Sequence, residues 1–309
     1  MLKLIVLGAA AGGGFPQWNC NCENCRRVRS GDPAAVARTQ SSLAVSADGA
    51  HWFLFNASPD VRQQIDRTPA LHPADGRRHS PIAGVVLTNA DVDHVAGLLT
   101  LREGQALSIY ATARVHRSLA ANPIFGVLNA GCVARPVLAL EQESRLQLPD
   151  GRPSGIAVTA FPVPGKIALW LEDAAAVDLG SVAEDSIGLQ VAEAASGRSF
   201  FYVPGCASLP AALAARLAGA TLVLFDGTTW TDDEMQATGV GKKTGRRMGH
   251  MSMAGADGSI EAFAGLGVGR RVFIHINNTN PVLLADSPQR REAEAAGWEI
   301  ACDGQEIRL

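Results

Sequence analysis

An apolar run, Ile82-Ala83-Gly84-Val85-Val86-Leu87-Thr88, stops at Asn89-Ala90-Asp91-Val92-Asp93-His94, and the apolar-rich stretch Val95-Ala96-Gly97-Leu98-Leu99-Thr100-Leu101 follows. The first run reads as a buried strand and the last as a helix. The cluster of amide, carboxylate and imidazole groups between them reads as a metal site on a strand-to-helix loop. No other stretch constrains the chain as much.

Further strand-like runs recur at Leu2–Leu7, Ser42–Val45, Trp52–Phe55, Leu107–Ala111, Ile156–Phe161, Ile187–Val191, Ser199–Val203, Thr221–Phe225, Arg271–Ile276, Glu299–Cys302 and Glu306–Leu309. Helical patterns lie among them at Asp60–Arg67, Val95–Leu101, Ala113–Ala121, Pro210–Ala218, Ser259–Gly265 and Gln289–Ala296. Many strands, interspersed helices and no linker rich in proline or serine predict one domain over residues 1–309. With 47% apolar and 18% charged residues the chain is globular and has ample material for a core.

A net charge of −3 and a pI near 6.2 argue against an unaided binder of nucleic acid or of an anionic membrane. The one strong basic run, Lys242-Lys243-Thr244-Gly245-Arg246-Arg247, reads as a solvated loop in preference to an anion site. No apolar stretch is long enough to span a membrane. Met1–Gly8 reads as a first strand entering a glycine-rich loop rather than as a leader, so a cytoplasmic location is expected. Gly8, Gly12, Gly13 and Gly14 fit a dinucleotide fingerprint poorly, because cysteines rather than a helical pattern come next.

Cys20, Cys22 and Cys25 fall within six residues, whereas Cys132, Cys206 and Cys302 are scattered. Cysteines this close in a cytoplasmic protein are poor disulfide partners and good thiolate ligands. Three thiolates suit a structural zinc ion that takes a fourth ligand from elsewhere; the alternative is three unligated thiols.

The strand-to-helix cluster resembles the metallo-β-lactamase superfamily, whose signature at this place is His-x-His-x-Asp-His. Here Asn89 and Asp91 replace the two leading histidines, and Asp93-His94 keep the last two positions. The resemblance implies an α/β fold, a four-layer αβ/βα sandwich of two mixed sheets with helices outside. It places Asn56 at an aspartate of the family, Lys166 near a third histidine, and Gly205-Cys206 where hydrolases carry a metal-bridging aspartate. His275 matches the terminal histidine of the last strand. Groups for a first ion or a bridge are thus missing, and Asp93, His94 and His275 remain. The cysteine cluster resembles the structural zinc site of the superfamily's phosphodiesterase branch, whose fourth ligand is a histidine three residues after an active-site histidine. Asn278 stands there and is the candidate fourth group.

Asn19-Cys20-Asn21-Cys22, Leu54–Asp60, Leu87–His94, Leu101-Arg102-Glu103-Gly104 and His275–Pro281 together resemble the coenzyme PQQ synthesis protein B family, and the likeness spans nearly the whole chain. It implies a role in making pyrroloquinoline quinone (PQQ) from a ribosomal peptide. Within that role the chain is either an iron- and oxygen-dependent hydroxylase of the tyrosine in a Glu-Tyr unit, or a soluble carrier of PQQ or its precursor toward the periplasm. The resemblance leaves room for a homodimer and for contacts with other proteins of the pathway.

Two imidazoles and one carboxylate on one face of an ion, with open positions left to solvent, are the arrangement of non-haem Fe(II) oxygenases. Zinc binds the same three groups, and a zinc hydrolase is the weaker reading because the further ligands are missing. Asp91 is either a fourth ligand or an acceptor for an imidazole N–H. His250, in Gly249-His250-Met251-Ser252-Met253, is a candidate substrate contact or proton carrier, with a structural role as its alternative. Lys166, Arg102 and Asp226 are candidates to meet an acidic dipeptide or a quinone carboxylate, and equally candidates for internal ion pairs. Cys206 is a candidate pocket thiol, with packing as its ordinary role.

Overall fold

The structure is a computed structural model that describes residues 1–171 and 181–309. Two seven-stranded sheets make up its centre. The first runs β14 (Glu306–Arg308), β1 (Lys3–Gly8), β2 (Ser42–Ser46), β3 (Trp52–Phe55), β4 (Ile82–Val86), β5 (Leu107–Tyr110), β6 (Val133–Ala134). The second runs β13 (Trp298–Ile300), β12 (Arg270–Ile274), β11 (Leu222–Asp226), β10 (Ser199–Val203), β9 (Ile187–Glu193), β8 (Pro153–Pro162), β7 (Glu143–Gln147). Both sheets are mixed: β3 to β6 pair in parallel, as do β10 to β13, and the other neighbours are antiparallel.

Alternation along the strands produces the layers. In β3, Phe53 and Phe55 join a core shared with β8 to β12, while Trp52 and Leu54 face an outer cluster with Val61, Leu98 and Leu119. In β10, Phe200 and Tyr202 enter the shared core, whereas Phe201 and Val203 pack outward with Leu213, Phe263 and Trp298. Side chains two apart share a face, so a strand apolar at every position must be covered on both sides. Helices on the two outer faces provide that cover, which gives the four-layer αβ/βα sandwich expected from the sequence.

The expected strands are present with ends shifted by a few residues. β6 and β7 were not anticipated, since β6 has only two residues and β7 buries Leu146 alone, leaving no apolar pattern to read. Two helical expectations are corrected. A helix does follow the glycine loop, at Glu23–Arg29; its acidic start and basic last turn suit the helix dipole, and it carries Cys25. The helix expected over Val95–Leu101 instead runs Val92–Val95 and tightens into a 3₁₀ turn at Ala96–Leu99. Gly97 explains the change: its N–H bonds the Ala57 carbonyl at 2.9 Å, and a Cβ there would meet the Ser58 carbonyl at 2.2 Å. Asp93 and His94 are therefore in a helical first turn that begins after Asp91, not on a loop.

Candidate metal centre

The chemistry gathers at the carboxyl ends of the parallel strands, the usual ligand position in such sheets. After β4 the chain passes Thr88 and Asn89 into the short helix with Asp93 and His94. After β11 it reaches Asp226 and Thr228, and after β12 His275. His275 has φ 59°, a left-handed conformation that turns its ring out of the strand line toward the first sheet. Asn56, also left-handed at φ 63°, braces the opposite side: its Oδ1 accepts from Thr88 N at 2.9 Å and its Nδ2 donates to Thr88 Oγ1 at 3.0 Å. The asparagine in place of the family aspartate thus serves as a strand-end tie beneath His94, whose carbonyl accepts from Ala57 N at 2.8 Å.

Asp93, His94 and His275 offer ligand atoms within 4.8 Å of one another. Asp93 Oδ2 lies 3.1 Å from His275 Nε2 and 3.9 Å from His94 Nε2. The His94 tautomer follows from its partner. Asn89 Oδ1 accepts from Asp91 N at 3.0 Å and lies 2.8 Å from His94 Nδ1, so Nδ1 carries the proton and Nε2 a lone pair. That Nε2 is buried without a hydrogen-bond partner. A buried lone pair aimed at a carboxylate and a second imidazole nitrogen needs a cation, and the donor set suits a divalent ion with open positions.

Local electrostatics agree. Burial works against the Asp93 carboxylate, but His94 and His275 outweigh it and hold its pKa below the usual carboxylate range. Burial brings His94 down to about 4 despite Asp93, so at neutral pH it is an unprotonated ligand. Burial also opposes protonation of His275, yet the bond to Asp93 more than offsets it and the pKa rises.

The three groups open onto a cavity of about 250 Å³, small even among ligand sites, whose lining includes Lys166, Lys243, Met248, His250 and Asn277. Lys166 and His250 are thus where the sequence placed them. Lys166 Nζ pairs with Asp91 Oδ1 at 3.3 Å. For His94 the imidazole acceptor is Asn89, whose side chain reaches Nδ1, while the Asp91 carboxylate pairs with the Lys166 ammonium. Arg102 is corrected. It is exposed, donates to the Leu99 carbonyl at 2.7 Å and lies 3.7 Å from Glu103, away from the cavity lining. The solvated-loop reading of the basic run fails at Lys243, which the Gly245–Gly249 turn helps bring to the cavity wall. Cys206 is fully buried, and burial, then the Asp226 charge, push its thiol up to about 12. It packs rather than reacts.

Cys20, Cys22 and Cys25 form the second metal-capable group, with their sulfurs within 4.8 Å of one another. The Asn278 side-chain amide closes the fourth side, 3.1, 3.7 and 3.3 Å from the three Sγ atoms. Asn24 Nδ2 clamps the same turn by donating to the carbonyls of Asn278 and Asn280. Burial pushes Cys22 up to about 12, whereas for Cys20 burial is outweighed by hydrogen bonds from Cys22, Cys25 and Asn278 and the thiol is brought down; an ion bound here would displace the thiol protons. Rotating the amide would present its oxygen as the fourth ligand.

A beta-lactamase superfamily domain matches residues 51–276. Coenzyme PQQ synthesis protein B of Gluconacetobacter diazotrophicus is 57% identical, covering 99% of each chain, and that of Rhodopseudomonas palustris is 55% identical over the full length of both. The chain belongs to the coenzyme PQQ synthesis protein B family. The solved structure of Zn(2+)-bound PqqB from Methylobacterium extorquens superposes with a TM-score of 0.94 at 50% identity, covering 99% of this chain and all of that one. A diphosphatase from the PhnP family shares the fold, with a TM-score of 0.69 at 21% identity over 100% and 98% of the two chains. Membership fits the departures noted in the sequence. Asp93, His94 and His275 form a metal-capable group on the cavity, while Asn89 and Lys166 stand where the superfamily has histidines.

Proposed function

We propose that the chain acts in PQQ biosynthesis as an Fe(II)- and dioxygen-dependent hydroxylase of the tyrosine in a Glu-Tyr unit. The supporting observation is the buried, unpartnered His94 Nε2 beside Asp93 and His275, open on one side to a cavity of dipeptide scale. Asp93, His94 and His275 would hold the ion, and Fe(II) bound there supplies dioxygen activation. Zinc would occupy the same groups without that redox chemistry. In the overall reaction one oxygen atom is inserted into a ring C–H bond ortho to the phenol hydroxyl. The other leaves as water, with two protons and two electrons from an external reductant.

The chain's own residues orient the substrate. Lys166 and Lys243 provide positive charge on the cavity wall for the carboxylates of an acidic dipeptide. His250 faces the same space and offers a hydrogen bond to the phenol. Cys20, Cys22, Cys25 and Asn278 would hold a structural zinc ion outside the cavity.

Anaerobic reconstitution with Fe(II), followed by oxygen, Glu-Tyr and a reductant, tests the reading: the dipeptide should gain one oxygen atom by mass spectrometry. A carrier of PQQ or its precursor would leave the dipeptide unchanged. In cells lacking the native protein, it would also support PQQ production after alanine substitution of Asp93, His94 and His275. The hydroxylase would not.

A further inference from the structure

Asp226 is fully buried, at the end of β11, and is not part of the three-group cluster. Its carboxylate accepts four contacts, two on each oxygen. Oδ1 takes Thr228 N at 3.0 Å and Thr228 Oγ1 at 2.7 Å. Oδ2 takes Cys206 N at 2.8 Å and faces His250 Nδ1 at 2.7 Å. An ionised carboxylate has about four lone-pair sites and can only accept, so every neighbour here must donate.

That saturation sets the direction of each bond. His250 must carry its proton on Nδ1, which leaves Nε2 for the cavity. The single Thr228 hydroxyl proton is claimed by two oxygens that can only accept, Asp226 Oδ1 at 2.7 Å and the His275 carbonyl at 2.9 Å, so towards His275 Nδ1, 2.9 Å away, the hydroxyl oxygen accepts. His275 is then protonated at Nδ1, and Nε2 faces Asp93 and the ion position. The His250 and His275 rings are stacked, with centroids 5.2 Å apart and planes inclined by 23°.

We propose that Asp226 is a positioning residue for the metal centre. Acting through Thr228 on His275 and directly on His250, one buried carboxylate aims one imidazole at the ion and the other at the substrate. Hydrogen-bond partners of this kind fix the tautomer and orientation of a ligating histidine and raise its basicity. The inference deepens the metal assignment made above and rests on it. Asp226, His250 and His275 also have the spacing of a metal-capable group. However, the Thr228 hydroxyl lies among them, at 2.7, 3.0 and 2.9 Å, and links Asp226 to His275, while His250 gives its Nδ1 proton to Asp226.

The test uses the full chain loaded with zinc as a diamagnetic probe, and variants chosen to keep volume. Thr228→Val removes the hydroxyl at nearly constant size, Thr228→Ser restores it, and Asp226→Asn replaces half of the acceptor with a donor. Expected results are a fall of about ten- to a hundredfold in zinc affinity of the cavity site for Thr228→Val and Asp226→Asn, near-native affinity for Thr228→Ser, and unchanged zinc in the cysteine site. In nitrogen-15 spectra of the loaded protein, the hydrogen-bonded Nδ1–H of His275 should be present in the wild type and Thr228→Ser, and lost or shifted in Thr228→Val. Native affinity and an unchanged His275 signal in Thr228→Val would overturn the proposal. So would an extra zinc ion bound through Asp226, His250 and His275. His275→Ala separates the two readings: if it keeps cavity zinc, the metal assignment fails; if it loses zinc while Thr228→Val does not, only the role of Asp226 fails.

Discussion

The cysteine cluster and the Asp93–His94–His275 cluster are built on opposite plans although one turn serves both. Around the thiols, helix Glu23–Arg29 carries Cys25 and the Asn278 amide faces all three sulfurs. Around the imidazoles, three groups occupy one side and the other opens on a cavity. Closed tetrahedral sulfur sites contribute folding energy, and open nitrogen and oxygen sites leave positions for chemistry. The difference teaches that ligand geometry, rather than ligand count, separates a staple from a reaction centre.

The largest effect that could break this comparison is loss of the open site's ion. His275→Ala or His94→Ala should lower metal affinity there by more than about a hundredfold, beyond what loss of a supporting hydrogen bond costs, while metal analysis still finds the ion in the cysteine site. Loss of both ions at once would mean that the clusters are one unit. Next in size, the triple variant Cys20→Ser, Cys22→Ser, Cys25→Ser should release one ion per chain and lower the melting temperature by roughly 5–10 °C. Unchanged zinc content and melting would reject the staple.

A smaller effect sharpens the comparison at the shared turn. Glu234 accepts from Thr279 Oγ1 on that turn and from Trp230 N, and burial pushes it up to about 7 from an ordinary 4.5. Because the folded value is the higher one, the fold gains from protonation. That gain is fully present below pH 4.5 and is lost as pH rises through 7, a change on the order of 3 kcal/mol. Glu234→Gln mimics the protonated acid, so its denaturation midpoint should vary less between pH 5 and 8 than that of the wild type; parallel profiles would show that Glu234 is not the source. The smallest effect belongs to Arg102→Ala: its guanidinium caps Leu99 outside the cavity, so ligand affinity should change by less than about twofold, as is usual for surface changes. A large change would place the substrate elsewhere.

The sandwich was legible because β3, β4, β10 and β11 are apolar at nearly every position, a pattern that survives without any structure. The meeting of Asp93, His94 and His275 was legible because Asp93-His94 and His275 each follow such a strand. Less visible were groups whose role depends on distant partners. Asn89 looks like a lost histidine until its Oδ1 is found on His94 Nδ1. Asp226 lies 49 residues before His275, and only the parallel pairing of β11 with β12 brings Thr228 beneath that ring. Lys243 sits in a run whose neighbours Lys242 and Arg246 are exposed, so composition hid the one member that reaches the cavity. Arg102 misled for the converse reason, since a motif position said nothing about which way its side chain would point.

The turn His275–Asn280 couples the two clusters. His275 opens it, Asn278 lies against the thiols, and Asn280 Nδ2 pins it to the Gly227 carbonyl beside Thr228. Zinc held by the three thiols would fix Asn278, and with it the turn that presents His275 to the open cluster. Oxidation of the thiols would act in the reverse direction: a disulfide between any two of them removes the anchor of Asn278 and reaches the reaction centre without touching it.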